Sequence, residues 1–195
     1  MNLAELRARL DAALADHSRT ALDRSDLVSA AVLVPITDHG EPHLLFTKKT
    51  ATVPHHSGQF SFPGGIVEER DGSRVETALR EAWEEIRLPA SAVEVLGLLD
   101  DTPTRATSFI ITPVVGIVTE PVDFVPDGRE IERVLEVPVR VLRDPSIYRT
   151  EHWERDGEVH AVHFYTVSPD DVIWGATARI LNQFLGLLGP LPETP

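Results

Sequence analysis

An α/β fold, with a mixed sheet held between helices, is predicted for this 195-residue chain by three observations. Runs rich in Val, Ile and Phe recur along most of its length. One amphipathic helix interrupts them near residue 80, and a second apolar-striped helix follows near residue 180. Strands broken by one central helix and closed by another bury their apolar faces best as a sheet with helices packed on it.

The elements follow in order. Leu3, Leu6, Leu10 and Leu14 recur at helical spacing and predict an N-terminal helix packed on the domain or on a partner subunit. Leu27 to Ile36 and His43 to Lys49 are β-rich runs around Asp38-His39-Gly40-Glu41-Pro42, which reads as a hairpin. A short strand leads into Pro63. The central helix then starts at Ser73, where S-x-x-E with Glu76 forms a capping box just after Asp71-Gly72. Its apolar stripe is Val75, Ala78, Leu79, Ala82 and Ile86. Val93 to Leu99, Phe109 to Val118, His152-Trp153 and Val159 to Val167 supply further strands, the last two turning at Asp156-Gly157. Gly175 to Leu188, with Ile180, Leu181, Phe184, Leu185 and Leu188, closes the fold.

Composition sets the frame. At 42% hydrophobic and 25% charged, without repeat, low-complexity tract or linker, the chain reads as one globular domain over residues 1–195. Residues 1–25 form a helical extension of it and the proline-rich residues 189–195 a flexible tail. Cysteine is absent, which excludes disulfide and thiol chemistry, and no signal or long apolar run appears, so a cytoplasmic location is expected. A net charge of −13 argues against a general nucleic-acid surface, and the lack of a long apolar run argues against membrane insertion. The same field would repel an anionic substrate unless a cation and local basic groups offset it. Lys48, Lys49, Arg70 and Arg105 are the candidates.

The most telling residues are Glu81, Glu84 and Glu85, behind Arg80. At i, i+3 and i+4 they share one helix face, and three crowded carboxylates repel one another unless a cation neutralises them. Most acidic helix faces are merely solvated, but here the opposite face is buried and a glycine pair, Gly64-Gly65, stands before the helix. Hard oxygen donors without Cys or a dedicated His suit Mg²⁺ or Mn²⁺, which implies a phosphate-bearing substrate.

These residues resemble the Nudix box, G-x5-E-x7-R-E-U-x-E-E-x-G-U with U aliphatic, at Gly65, Arg80, Glu81, Ala82, Glu84, Glu85 and Leu88. The interval from Gly65 to Arg80 is one residue longer than the pattern, Asp71 stands at the early acidic position, and Arg87 replaces the late glycine. The preceding stretch, LLFTKKTATVPHHSGQFSFPGG, is similar to the LLTxRSxxxRxHxGxxxFPGG of the coenzyme A pyrophosphatase branch. Leu45, Thr47, His56, Gly58, Phe62, Pro63, Gly64 and Gly65 match, whereas Lys49, Thr50 and Pro54 replace Arg, Ser and Arg. Asp100-Asp101, Pro113 to Gly116 and Ile173 to Ala178 extend the likeness.

The resemblance implies a Nudix α/β/α sandwich and a Mg²⁺- or Mn²⁺-dependent hydrolase of a diphosphate bond. Coenzyme A or an acyl derivative is the implied substrate, giving phosphopantetheine and adenosine 3′,5′-bisphosphate. ADP-ribose, dinucleotides or damaged dNTPs are the alternative, favoured by Pro54, and a non-catalytic nucleotide-binding module is a second. Glu81, Glu85 and Glu84 are the implied metal ligands, with the backbone carbonyl around Gly64-Gly65 completing the site. Arg80 orients the carboxylates, Glu84 or Glu85 is a candidate base, and Lys49, His56 and Gly64 are candidate substrate contacts. Outside the box, Glu120, Asp127, Glu130 and Glu132 lie in an acidic, loop-like stretch able to fold over the site. A homodimer is a family-level expectation. His55 reads as exposed and Trp83 as a packing residue, and Trp153 and Trp174 read as packed aromatics, with stacking on a base or pantetheine as the alternative.

Overall fold

The computed structural model describes residues 1–51, 58–104, 108–155 and 157–190, Arg155 by its backbone alone. In chain order, α1 (Leu3–Asp16), β1 (Val28–Asp38), β2 (Pro42–Lys49), β3 (Phe60–Ser61), β4 (Gly64–Ile66) and α2 (Arg74–Ile86) are followed by β5 (Val93–Leu98), β6 (Thr102–Pro103) and β7 (Phe109–Val118). Then come β8 (Ile131–Pro138), α3 (Val139–Leu142), β9 (Tyr148–Arg155), β10 (Glu158–Ser168), β11 (Asp171–Trp174) and α4 (Gly175–Leu187).

The main sheet is organised by β1, which pairs in parallel with β7 from Val28–Phe109 to Ile36–Ile117. Its other edge changes partner. β4 pairs antiparallel with Ala30 to Val32, and β2 takes over at Ile36 to Asp38. Pro35, which has no N–H to give, lies between the two partners where no ladder bond on that edge is required. The sheet opens there, and the backbone of Pro63 enters the gap, its carbonyl accepting from Leu33 N–H at 2.8 Å. β2 also carries β3 and β8, and β7 carries β5 and β6, all antiparallel, so the sheet is mixed. β11, β10 and β9 form a separate small antiparallel sheet.

Each face of the main sheet is covered. α2 packs on one, where Leu33, Leu45, Ala82 and Ile86 are fully buried. α1, α4 and the small sheet pack on the other, around Leu10, Phe46, Val115, Tyr165 and Phe184. Removing each such leucine, isoleucine or phenylalanine from water contributes about 1.5–3 kcal/mol. Between α1 and β1 the chain is tied down by the acidic pair: Arg19 reaches Asp101 at 2.6 Å, and the carboxylates of Asp100 and Asp101 accept from the N–H of Thr20 and Leu22.

The α/β expectation agrees with this architecture. The expected strands and helices are present near their expected bounds, and β4, β6, β8, α3 and β11 are additional to them. Glu132, expected in an acidic loop, lies on β8, whose charged residues Glu132, Arg133 and Glu136 obscure the strand's apolar alternation. Residues 191–195, the end of the expected tail, lie outside the described residues.

Candidate active site

α2 is set by its ends. Ser73 accepts the N–H of Glu76 at 3.1 Å, capping the first turn, while the Glu76 carboxylate reaches back to Gly72 N–H at 2.8 Å rather than to Ser73. At the other end Arg87 adopts the left-handed conformation, φ 60°, and its N–H donates to the last helix carbonyls, those of Ala82 and Trp83. Burial of Ala78, Ala82 and Ile86 orients the helix so that Glu81 and Glu85 face the glycine turn. Trp83, expected to pack, is instead 47% exposed on the outer face beneath the Arg87 guanidinium.

Gly64 and Gly65 are required by close approach. A Cβ at Gly64 would overlap the backbone of Ala31 and Val32 in β1, and one at Gly65 would overlap the Glu81 carboxylate. The absence of side chains therefore lets the β4 backbone lie directly beside the helix carboxylates. Gly64 N–H donates to Glu85 Oε2 at 3.3 Å.

Arg80 organises the remaining acids. Its guanidinium forks onto both oxygens of Asp71 at 3.0 Å, donates to Glu81 Oε1 at 2.8 Å and to Glu84 Oε2 at 3.3 Å, and reaches the Ile66 carbonyl at 3.0 Å. Glu68 lies 3.7 Å away. Asp71 is held well below the usual carboxylate range, first by Arg80 and then by the N–H of Glu68 and the hydroxyl of Thr77, which outweigh its burial. Arg80 is raised in turn, chiefly by Asp71. Glu84 is the open member of the set, 46% exposed and also within 3.2 Å of Arg70.

Glu85 has different surroundings. Only 6% of its side chain is exposed, and Lys49 Nζ donates to its Oε1 at 2.6 Å. Burial pushes its carboxyl up to about 7, against the opposing pull of Lys49. Burial lowers the Lys49 ammonium, but Glu85 and then Glu130 more than offset this, leaving it above the ordinary lysine value. Glu81 is raised as well, by burial, with Arg80 opposing.

The acidic stretch does fold over the end of α2. Val125 N–H donates to Ile86 O and Asp127 N–H to Glu85 O, while Thr50 N–H donates to Glu130 O. The Asp127 carboxylate is taken up by the N–H groups of Arg129, Glu130 and Ile131. Of the other expected basic groups, Lys48 lies over the Phe60 ring, on the opposite face from Lys49, and Arg70 pairs with Glu68 and Glu84. His55, His56, Pro54 and Arg105 lie outside the described residues.

Among the described residues, no three His, Asp or Glu side chains converge on one point. Glu84 turns outward to two arginines, leaving Glu81 and Glu85 as the pair beside the Gly64-Gly65 backbone. Their chemistry fits Mg²⁺ or Mn²⁺: hard oxygens without sulfur, one of them desolvated so that a cation stabilises its charged form.

The NUDIX domain model matches residues 27–179 of this chain. Proteins named uncharacterized Nudix hydrolase NudL include one from Photorhabdus laumondii, 38% identical over 79% of this chain and 81% of its own length. Another, from Klebsiella pneumoniae strain ATCC 700721, is 33% identical over 98% of this chain and 97% of its own. The crystal structure of RenU, a Nudix hydrolase from M. smegmatis, shares the fold at TM-score 0.56 and 20% identity, over 85% of this chain and 89% of that one. The chain belongs to the Nudix hydrolase family. Members of that family generally use divalent metal ions.

Proposed function

We propose that this hydrolase cleaves the diphosphate bond of coenzyme A or an acyl derivative, releasing phosphopantetheine and adenosine 3′,5′-bisphosphate, and that it does so in the cytoplasm as a single catalytic domain. The observation that carries the site assignment is the buried Glu85 carboxylate, set against the Gly64 N–H one helical turn from Glu81. Support for coenzyme A comes from the stretch Leu44 to Gly65, whose β2, β3 and β4 segments lead directly into that site.

Glu81 and Glu85 would hold Mg²⁺ or Mn²⁺ in this reading, with a backbone oxygen at Gly65 and with Glu84 at the rim. Such an ion, when bound, would supply charge neutralisation for the diphosphate and acidify the attacking water. Asp71 fixes Arg80, and Arg80 fixes the rotamers of Glu81 and Glu84, so the carboxylates are oriented before substrate arrives. A proton leaves the water as its oxygen bonds phosphorus and the P–O–P bridge breaks; Glu84 or Glu85 is the candidate base that takes it.

A second reading, hydrolysis of ADP-ribose, a dinucleotide or a damaged dNTP, is favoured by Pro54, where the coenzyme A signature has an arginine able to grip phosphate. A product-resolved assay with coenzyme A, acetyl-coenzyme A, ADP-ribose, NADH and 8-oxo-dGTP, each with Mg²⁺ or Mn²⁺, separates the two. Preferential release of adenosine 3′,5′-bisphosphate is expected. Preference for another diphosphate overturns the substrate, and silence on all of them favours a binding module. Glu85→Gln is expected to lower turnover about 10²–10⁴-fold while the protein stays folded.

A further inference from the structure

Lys49 sits at the end of β2, where the pairing with β8 shifts register and sets it opposite Ile131. Its ammonium is held between two carboxylates, 2.6 Å from Glu85 Oε1 and 3.6 Å from Glu130 Oε2. The two differ in character: the Glu85 side chain is 6% exposed, and that of Glu130 is 64% exposed. Their separation is fixed by the backbone, because Glu130 O accepts from Thr50 N–H at 2.8 Å, and Asp127, three residues earlier, donates its N–H to Glu85 O at 2.9 Å.

An ammonium and a divalent cation cannot share one carboxylate oxygen cheaply. Like charges within a few ångströms repel by many times the thermal energy, even at an effective dielectric constant of about 20. An ion bound through Glu85 must therefore displace Lys49 from Oε1, and the ammonium's second carboxylate, Glu130, is already within ion-pair distance.

The geometry points to Lys49 as a positioning residue that competes with a divalent cation for Glu85, with Glu130 as the second seat that draws the ammonium aside. This rests on Glu85 being a metal ligand. Lys49 holds the buried carboxylate in place and lowers metal affinity while doing so. Glu130, which is not itself a ligand, raises metal affinity by giving Lys49 somewhere to go.

Mn²⁺ binding without substrate, followed by calorimetry and electron paramagnetic resonance, tests this in the full chain. Lys49→Met is expected to tighten Mn²⁺ binding about tenfold or more, whereas Lys49→Arg stays within about twofold of wild type. Glu130→Gln is expected to weaken binding about threefold at low ionic strength, less in 0.5 M salt, and to lose that effect when combined with Lys49→Met. A lysine that merely supports the fold, or only grips substrate phosphate, would not tighten metal binding when removed.

Unchanged or weaker Mn²⁺ binding in a folded Lys49→Met protein overturns the inference. Should that variant fail to fold, unchanged or tighter binding by Glu130→Gln overturns it, since Glu130 is exposed and its loss leaves the core intact. Glu85→Gln tells the two readings apart. If it binds Mn²⁺ like wild type, the metal site and this inference fall together; if it loses the ion while Lys49→Met gains nothing, only the competition is wrong.

Discussion

Arg87 occupies a conformation that glycine would adopt without cost. Its φ of 60° closes α2 in the left-handed region, where a Cβ is disfavoured by about 1 kcal/mol, and its guanidinium recovers part of that over the exposed Trp83 ring at 5.4 Å. Arg87→Gly should therefore stabilise the protein by about 0.5 kcal/mol, read as a higher urea midpoint at unchanged slope, and Arg87→Val should destabilise it. Gly65 presents the opposite case, since a methyl there meets the Glu81 carboxylate. Gly65→Ala should lower kcat about 10²-fold by displacing that carboxylate about 1 Å, with circular dichroism unchanged. Wild-type turnover in this variant would show that Glu81 does not need its present place.

At the scale of elements, α2 depends on a cap whose reciprocal half has moved one residue outward. Ser73→Ala removes the acceptor for Glu76 N–H and should cost about 1 kcal/mol in equilibrium unfolding, whereas Glu76→Gln, which keeps an acceptor for Gly72 N–H, should cost less. Asp71 ties the loop before the helix to Arg80 within it, so Asp71→Asn should loosen both. In the proposed mechanism, where Arg80 orients carboxylates rather than binding substrate, the signature of this substitution is a fall in kcat larger than any change in KM.

On the scale of the whole molecule, acid acts on the small sheet. Nδ1 of His163 on β10 and the Tyr148 hydroxyl share a hydrogen bond of 2.8 Å, and burial, then Arg179, lowers the His163 pKa below the ordinary 6.5. The unfolded chain thus binds this proton at a higher pH than the folded one does. Stability from this group is complete above about 6.5 and declines as pH falls from there toward the lower folded value. Urea midpoints at pH 7.5 and 5.5 should differ less in His163→Gln than in wild type; an equal difference would assign the acid sensitivity to other groups. The net charge of −13 works over the same molecule by self-repulsion, so added salt should raise the melting temperature modestly.

Residue order was enough to establish α2 with its cap, its buried stripe and its acidic face, and with them the family. Those features depend on residues three or four apart, which the helical repeat brings together whatever the rest of the chain does. The glycine pair was legible as a place of close approach to an ion, whereas the structure shows the closeness to be to the β1 backbone and the Glu81 carboxylate. How the charges are shared, by contrast, depends on the folded chain. Lys49 meets Glu85 across 36 residues of chain, and Glu130 joins them from a third segment, because sheet register and the partner change along β1 place those ends together. Glu84, expected from sequence as the third ligand after Glu81 and Glu85, is turned outward to Arg70 and Arg80 by the same packing that buries Glu85, and β8 was hidden because its charged residues lie on a strand only partly covered. Helical periodicity is a local property that a sequence displays directly; register between distant strands is set by the burial of both faces at once, and it appears only when the chain is folded.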